Sequence, residues 1–389
     1  MNKMKWHINF KYLKLLFSLM IVSLLCGCWD IKEIENINYV TAIGIDYEDK
    51  KYVLYAQLLD FTAVAKTETG KSDKPAQVWV GKAKGETVHL AMNSLYATSQ
   101  ERTSWSHVTS IVFSENALKQ GGIFNNDLII RDSKIRLTPW LYGTREPMEK
   151  LFVAPAFFNV SPLNTISHEP LQAYLQSSYI PPIRFLAFNS RMNEPASTVL
   201  LPNLSITSSV WEKNEKKDAK MYVDGAFSLS EKKLEGWLSR QKLLGIRWGE
   251  KDTTHTPLNI AKNGETVAVI SLEDPKIRKS VKLVDGKPKF ELDIKLTGSV
   301  TEILGEVNKD EIEEMAAAKV KKEILTTYQS GMKIQSDLFN LKHVLYKQKT
   351  AAWKKMNEMG GMQLDDHSIE SVNVNIYLNH AGLKMLPVE

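Results

Sequence analysis

The side chains that could do chemistry are few and unevenly placed along the 389 residues. Two cysteines occur, Cys26 and Cys28, both at the end of the first apolar run, with Gly27 between them. The rest of the chain can therefore build neither a disulfide framework nor a thiolate metal site. Beyond Cys28 the histidines are His89, His107, His168, His255, His343, His367 and His380, and no two stand at metal-ligand spacing. Asp365-Asp366-His367 sets carboxylates beside an imidazole, but reads better as a turn with capping carboxylates ahead of a helix. There is no Gly-x-Ser-x-Gly elbow, no His-Glu-x-x-His pair and no Gly-x-x-x-x-Gly-Lys phosphate cradle. The tryptophans after Cys28 are scattered and form no stripe on which single-stranded nucleic acid would stack. The Asn-x-Ser triplets at Asn159 and Asn203 are acceptors only in a eukaryotic secretory setting. The expectation is a protein without catalytic residues, cofactor or metal.

Residues 1–14 are basic, and Leu15–Cys26 are twelve residues without a charge. A membrane-spanning helix needs about 20 apolar residues, whereas the apolar core of a signal peptide needs about 7–15. Leu25-Cys26-Gly27-Cys28 resembles the lipobox of bacterial lipoproteins. The resemblance implies cleavage between Gly27 and Cys28, an S-diacylglycerol on the Cys28 thiol, and an N-acyl chain such as palmitate on its amine. Cys26 replaces the small residue usual at its position. Two acyl chains, at about 0.8 kcal/mol per buried methylene, hold a soluble body stably on a bilayer. Lys3, Lys5, Lys11 and Lys14 supply four of the five net positive charges, so the remainder is nearly neutral and no nucleic-acid-binding body is indicated. With 43% hydrophobic and 24% charged residues, disorder, collagen and a polytopic membrane protein are excluded.

The elements that would carry this body alternate in type. Residues 40–46 and 52–58 read as a hairpin, 78–80 as a short strand and 86–96 as a helix. Residues 66–77 form an exposed loop, since they hold no large apolar side chain. A strand over 107–113, a short helix over 116–121, a second short helix from Asn126-Asp127 to Ile130 and a strand over 134–142 follow. A short helix is expected over 170–177, stopped by Pro181-Pro182. Residues 212–220 carry seven charges in nine positions and read as a solvated loop near a domain junction. After a strand from Met221, turns at Lys262-Asn263-Gly264-Glu265 and Asp285-Gly286 and alternation over 291–300 give an antiparallel sheet. Asn308 caps a helix over 309–328, with Ile312, Ala316, Val320, Ile324 and Tyr328 on one stripe. Ser336-Asp337 opens another helix, a third helical piece runs from Thr350 to Met359, and residues 372–378 alternate as a final strand. The fold class is α+β, in three domains with mixed or antiparallel sheets and a helix-rich C-terminal domain. The expected divisions are 1–27 signal peptide, 28–205 N-terminal domain, 206–220 charged linker, 221–275 middle domain and 276–389 C-terminal domain.

An ordered set of short motifs spans nearly the whole chain. It comprises Gly27-Cys28-Trp29-Asp30-Ile31-Lys32-Glu33-Ile34, Val40-x-Ala42-Ile43-Gly44-Ile45-Asp46, and Leu118-x-x-Gly121-Gly122-Ile123 leading to Ile130-Arg131-Asp132-Ser133-Lys134-Ile135-Arg136. Gly225-Ala226-Phe227, Gly236-Trp237-Leu238, Gly245-Ile246-Arg247-Trp248, Asp337-Leu338-Phe339 and Trp353 follow. The set resembles the Ger(x)C family of lipoproteins, the C subunits of spore germinant receptors. That resemblance implies a non-enzymatic, three-domain α+β lipoprotein at the outer face of the spore inner membrane. It also implies two integral-membrane partners, the A- and B-type receptor subunits, in nutrient-triggered germination. Small-molecule germinant binding by this subunit is not expected. The residues themselves read structurally: Gly44 allows close packing, Asp46 begins a turn through its side chain, and Trp237 and Trp248 are core anchors. The competing reading is a lipid-anchored solute-binding protein of a transporter. It needs two lobes of β-α-β units around a cleft, against which the short polar hairpin turns argue.

Overall fold

The computed structural model describes residues 37–59, 77–121 and 135–380, together with 11, 14–18 and 20. The expected lipobox, the 66–76 loop, the 126–130 helix and Arg131-Asp132 lie outside the described residues. The chain divides into a short unit, Met1–Ile37, in which Lys14–Ser18 are helical, and a compact body, Asn38–Glu389.

The body is built on two sheets. The larger has ten strands, and its main path begins with β1 (Ile37–Glu48), β2 (Lys51–Leu59) and β3 (Val78–Gly85) as one antiparallel ladder. Three-residue β4 (Arg102–Ser104) pairs with β1. Beside β1 lie β5 (Ser110–Ser114), β6 (Trp140–Thr144) and β8 (Thr198–Thr207), all parallel to it. Two-residue β7 (Ile183–Arg184) pairs with β6. This parallel centre explains why β1 is buried through six consecutive residues: both faces of a parallel sheet are covered. Ile43 and Ile45 enter one core with Met92, Leu118 and Phe188, from α1 (Val88–Tyr96), α2 (Glu115–Gln120) and α5 (Phe185–Met192). Ala42 faces the other core, with Met148, Leu151 and Phe152 of α3 (Met148–Phe152). Gly44 packs against Met148 so closely that a Cβ would lie 2.5 Å from its Cγ. The helix expected over 170–177 is α4 (Leu171–Gln176). Thr87 and Ser114 cap α1 and α2 through their hydroxyls, and Gly121, at φ 76°, ends α2 as expected.

The charged run does not separate two sheets. It contains a two-stranded ribbon, β9 (Glu212–Lys213) with β10 (Lys216–Lys217). The ribbon connects β8 to β11 (Lys220–Ser230), and those two strands pair antiparallel from Lys220–Thr207 to Ser230–Thr198. With β12 (Lys233–Ser239), β11 completes the ten-stranded sheet. The middle domain expected over 221–275 is thus shared out. Its first part belongs to the large sheet, and its last part is β13 (Thr256–Lys262) and the start of β14 (Glu265–Val284) in the second. Residues 212–217 are exposed, as their charge density implies, whereas Lys220 is buried at the start of β11; exposure is equally the property of a ribbon projecting from paired strands.

The second sheet has the order β13, β14, β15 (Lys287–Ile303), β16 (Ile369–His380), with β15 and β16 parallel. Its apolar face is covered by α6 (Lys309–Met332) and a 3-10 segment, Arg240–Gly249. Asn308 and Glu311 form a reciprocal capping box at the start of α6. Ile312, Ala316, Val320, Ile324 and Tyr328 are all buried on the expected stripe. Two short helices, α7 (Leu341–Gln348) and α8 (Thr350–Glu358), follow. The first begins later than Ser336-Asp337 predicts, because Asp337 reaches forward instead and its Oδ2 accepts the Lys342 amide at 2.7 Å. The fold class is α+β with mixed and antiparallel sheets and a helix-rich C-terminal part.

Ile324 is fully buried between α6 and the second sheet. Ile324→Ala should lower unfolding free energy by about 2–5 kcal/mol. A urea melt should show a lower midpoint with an unchanged slope, and a loss under about 1 kcal/mol would contradict this packing.

Candidate functional site

The most unusual chemistry in the body is a buried cation. Arg247 is 2% exposed on the 3-10 segment, and its Nη2 donates to Glu323 of α6 at 3.0 and 3.2 Å. The Trp248 indole N–H donates to the same carboxylate at 2.8 Å. Among the described residues the Nε and Nη1 groups have no hydrogen-bond partner, and rings flank the guanidinium: its carbon lies 4.4 Å from the Trp248 centroid and 4.8 Å from that of Tyr179. Arg240 lies against Tyr179 as well, at 3.5 Å. The ring faces supply negative potential where hydrogen bonds are missing.

Local sequence explains the geometry. Gly245 lets the 3-10 segment touch α6, since a Cβ there would sit 2.7 Å from the Glu323 carbonyl oxygen, and its N–H donates to Thr327 Oγ1 at 2.9 Å. Tyr179 is carried by the segment after α4, which is stitched to residues 253–255. Ser178 N–H donates to the His255 carbonyl at 3.1 Å, and Thr254 N–H donates to Ser178 Oγ at 3.2 Å. Thr253 Oγ1 donates to the Arg247 carbonyl at 2.9 Å. Beside this joint lies a cavity of about 240 Å³ lined by Tyr142, Tyr174, Tyr179 and Arg240 among others. Burial pushes the Tyr174 hydroxyl up to about 12, so it stays protonated and serves as a hydrogen-bonding group.

A second buried polar group lies in the large sheet. His168 is 5% exposed, and its ring spans Thr109 Oγ1 at 2.6 Å and Gln57 Oε1 at 3.0 Å. Gln57 in turn donates to the Phe152 carbonyl at 2.7 Å and accepts from Thr41 at 2.9 Å. The set fixes the imidazole as a neutral ring with its proton on Nε2. Burial pushes its pKa down to about 4. Both ring nitrogens are thus matched by uncharged partners, Thr109 and Gln57, as in a packed imidazole with satisfied hydrogen bonds.

A polar cleft of about 550 Å³ runs past Glu231, Glu235, Asp337 and Asn357. Burial raises the Asp337 carboxyl and lowers the neighbouring Lys279 ammonium, which donates to the Phe339 carbonyl at 2.7 Å. Asp365 accepts from the His367 amide and the Ser368 hydroxyl, so the Asp365-Asp366-His367 turn is capped as expected, although it leads into β16 and not a helix. Among the described residues no three His, Cys, Asp or Glu side chains could hold a metal ion, and no helix is long and apolar enough to cross a membrane. The one site residue expected from sequence, Cys28, lies outside the described residues. Of the two tryptophans expected in the core, Trp248 is fully buried, whereas Trp237 is half-buried under Arg145 at 4.7 Å. The Arg247–Glu323 pair was not read from sequence. Its only signal was an arginine between Ile246 and Trp248, facing a glutamate next to Ile324 on the α6 stripe.

A model for the spore germination protein N-terminal domain matches residues 30–206, and one for the spore germination B3/GerAC-like C-terminal region matches residues 224–382. The chain belongs to the GerAC-like family of spore germination proteins. Tyr179 and His168 fall in the first matched region, and Arg247 and Glu323 in the second. Over 97% of this chain and 98% of the relative, it is 22% identical to spore germination protein KC of Bacillus subtilis (strain 168). It is 25% identical to spore germination protein B3 of the same organism over 74% of each chain. The crystal structure of the GerBC protein superimposes with a TM-score of 0.53 at 16% identity, over 90% of this chain and all of that one, a likeness of fold.

Removing one partner of a buried ion pair costs more than removing both. Glu323→Ala should destabilise the body by about 3–5 kcal/mol, and the double change Arg247→Met/Glu323→Leu should recover most of that. Equal melting of single and double variants would contradict a joint held by this pair. For His168 the folded pKa, about 4, lies below the 6.5 of an ordinary imidazole. The unfolded chain therefore binds the extra proton between these values. The stabilisation is fully present above about pH 6.5 and is lost as pH falls towards 4, by up to about 3 kcal/mol. In denaturant melts from pH 7 to 4, His168→Gln should flatten that part of the decline.

Proposed function

We propose that this chain is a lipid-anchored, non-enzymatic subunit of a nutrient germinant receptor, joining two integral-membrane subunits, A- and B-type, at the outer face of the spore inner membrane. A role in spore germination follows from the family. The observation that carries the adaptor reading is the one-piece construction of the body. The two matched regions share a sheet through β8 and β11 and are bound again at the Tyr179–Arg247–Glu323 joint. A force applied by a partner on either region is thereby passed to the other. A solute-binding protein instead closes two lobes about a hinge, and here the strands flanking the charged run are hydrogen-bonded to each other.

Anchoring is proposed at Cys28, with cleavage after Gly27. The nine residues from Trp29 to Ile37 reach at most about 30 Å when extended, which keeps the body within reach of a membrane subunit's external loops. Mass spectrometry of the mature N-terminus should find a diacylated Cys28, and Cys28→Ala should release the protein from the membrane fraction. An intact Met1 or an unmodified Cys28 would refute the anchor. Cysteines placed at Glu33 or Asn36 should crosslink to a membrane subunit in spores. Tight germinant binding by the isolated body in calorimetry, with no such crosslink, would refute the adaptor reading.

A further inference from the structure

Near-neutrality of the body conceals a strong segregation of charge. Residues 282–289, the tip of the β14–β15 hairpin, and residues 341–358, which form α7 and α8, together carry eight lysines against two acids, Asp285 and Glu358. Two of the lysines pair with acids from elsewhere: Lys282 with Glu291 at 2.7 Å and Lys347 with Glu194 at 3.3 Å. Lys287, Lys349, Lys354 and Lys355 are exposed and enter no ion pair among the described residues. Leu283 and Val284 at the hairpin tip are each 44% exposed, and Met359 at the end of α8 is 77% exposed.

These segments form one lobe. Gln348 of α7 accepts from the Val281 amide at 3.2 Å and donates to the Lys279 carbonyl at 2.8 Å, tying the helix to the hairpin. At its other end α7 is tied to the start of β8. Asn340 exchanges hydrogen bonds with the Thr198 backbone at 2.6 and 3.1 Å, and His343 donates to the Pro195 carbonyl at 2.9 Å. The register then places the lobe. Ala42 pairs with Ser110, Ser110 with Trp140, and Gly143 with Asn203, all in parallel, so Thr198 lies level with Val40. Three strand spacings of about 4.8 Å separate them, about 14 Å in all. The basic lobe therefore sits at the end of the large sheet where the chain coming from Cys28 enters β1. The β9–β10 ribbon projects from the opposite end, beyond Thr207.

We propose that this lobe is a second membrane contact: a basic surface with an apolar tip that docks on anionic phospholipid headgroups. The orientation rests on anchoring at Cys28. A tether of at most about 30 Å enters the body at this end and presents it to the bilayer. Lysines attract anionic headgroups within a Debye length, about 8 Å at physiological salt, and exposed leucine, valine and methionine enter the headgroup boundary. One weak electrostatic site and one lipid anchor then act together and fix which face of the body looks at the membrane.

The test uses the chain beginning at Trp29, without lipid, because all three cores lie in the compact body from Asn38 onward. Cosedimentation is measured with vesicles of phosphatidylcholine alone and with 30% phosphatidylglycerol. Binding should appear only with the anionic vesicles, fall at least ten-fold in 0.5 M salt, and fall at least ten-fold in Lys349→Glu/Lys354→Glu/Lys355→Glu. The matched control Lys213→Glu/Lys216→Glu/Lys217→Glu, on the ribbon, should bind as the wild type does, and thermal melts should confirm folding of both variants. Equal binding to both kinds of vesicle, no binding to either, or equal loss in the control would overturn the proposal. No vesicle binding combined with loss of crosslinking to a membrane subunit in the lobe variant would assign the lobe to an acidic protein surface instead. Because the test protein carries no lipid, its failure leaves anchoring at Cys28 to be judged separately by mass spectrometry.

Discussion

The antiparallel pairing of β8 with β11 is the constraint on which the rest of the body depends. From Lys220–Thr207 to Ser230–Thr198 it runs continuously, broken by a single bulge at Val223/Gly225. Because β8 is also a parallel neighbour of β6, the strand is committed on both edges. This makes the second matched region contribute strands to the sheet of the first. The consequence is mechanical: separating the two regions would expose a ladder of backbone donors and acceptors between two interior strands of the sheet, each requiring a partner. Such a body moves as a piece, and the exposed ribbon between the two strands can vary in charge without disturbing it.

The Arg247 joint adds specificity to that construction. A buried guanidinium is stable only where its charge is met, and here one carboxylate and two rings meet it. The carboxylate comes from α6, one ring from the same 3-10 segment and the other from the first matched region. Burial of an ion pair contributes little net stability, because desolvation offsets most of the attraction. Its effect is to penalise alternatives: any packing in which Tyr179 or Glu323 stands elsewhere leaves a cation uncompensated in a low-dielectric interior. Apolar contacts alone tolerate small slips of one surface over another, and this contact does not.

How much of this was legible in the sequence follows from how local each signal is. Capping by Asn308, the stripe on α6, the turns at Asn263-Gly264 and Asp285-Gly286 and the alternation in β15 are written within a few residues, and each appears where its pattern placed it. Strand direction is not local. The apolar runs at 107–113 and 134–142 were recognised as strands, but nothing in them says that β5 and β6 lie parallel to β1, and each strand is shorter than its run. The charged run announced exposure but not whether a junction or a ribbon exposes it. His168 is unremarkable among the eight histidines of the sequence, because its partners Gln57 and Thr109 are 111 and 59 residues away. The Arg247–Glu323 pair spans 76 residues for the same reason.

Charge is the property most easily misread from a sum. Subtracting Lys3, Lys5, Lys11 and Lys14 leaves a remainder near neutrality, which argues against a protein that is basic throughout. Electrostatic attraction, however, decays over about 8 Å at physiological salt, so a surface responds to the charges within that distance and hardly at all to those on the far side of a body several times thicker. Lysines gathered from the β14–β15 tip and from α7–α8, segments more than fifty residues apart, are brought together by Gln348 and its two backbone hydrogen bonds, by Lys279 on the Phe339 carbonyl and by the shared core of Val281, Leu341 and Leu345. Tertiary contacts thus bring two modestly basic stretches into one local field. The parallel register from β1 to β8, itself invisible in sequence, decides which end of the body that field occupies.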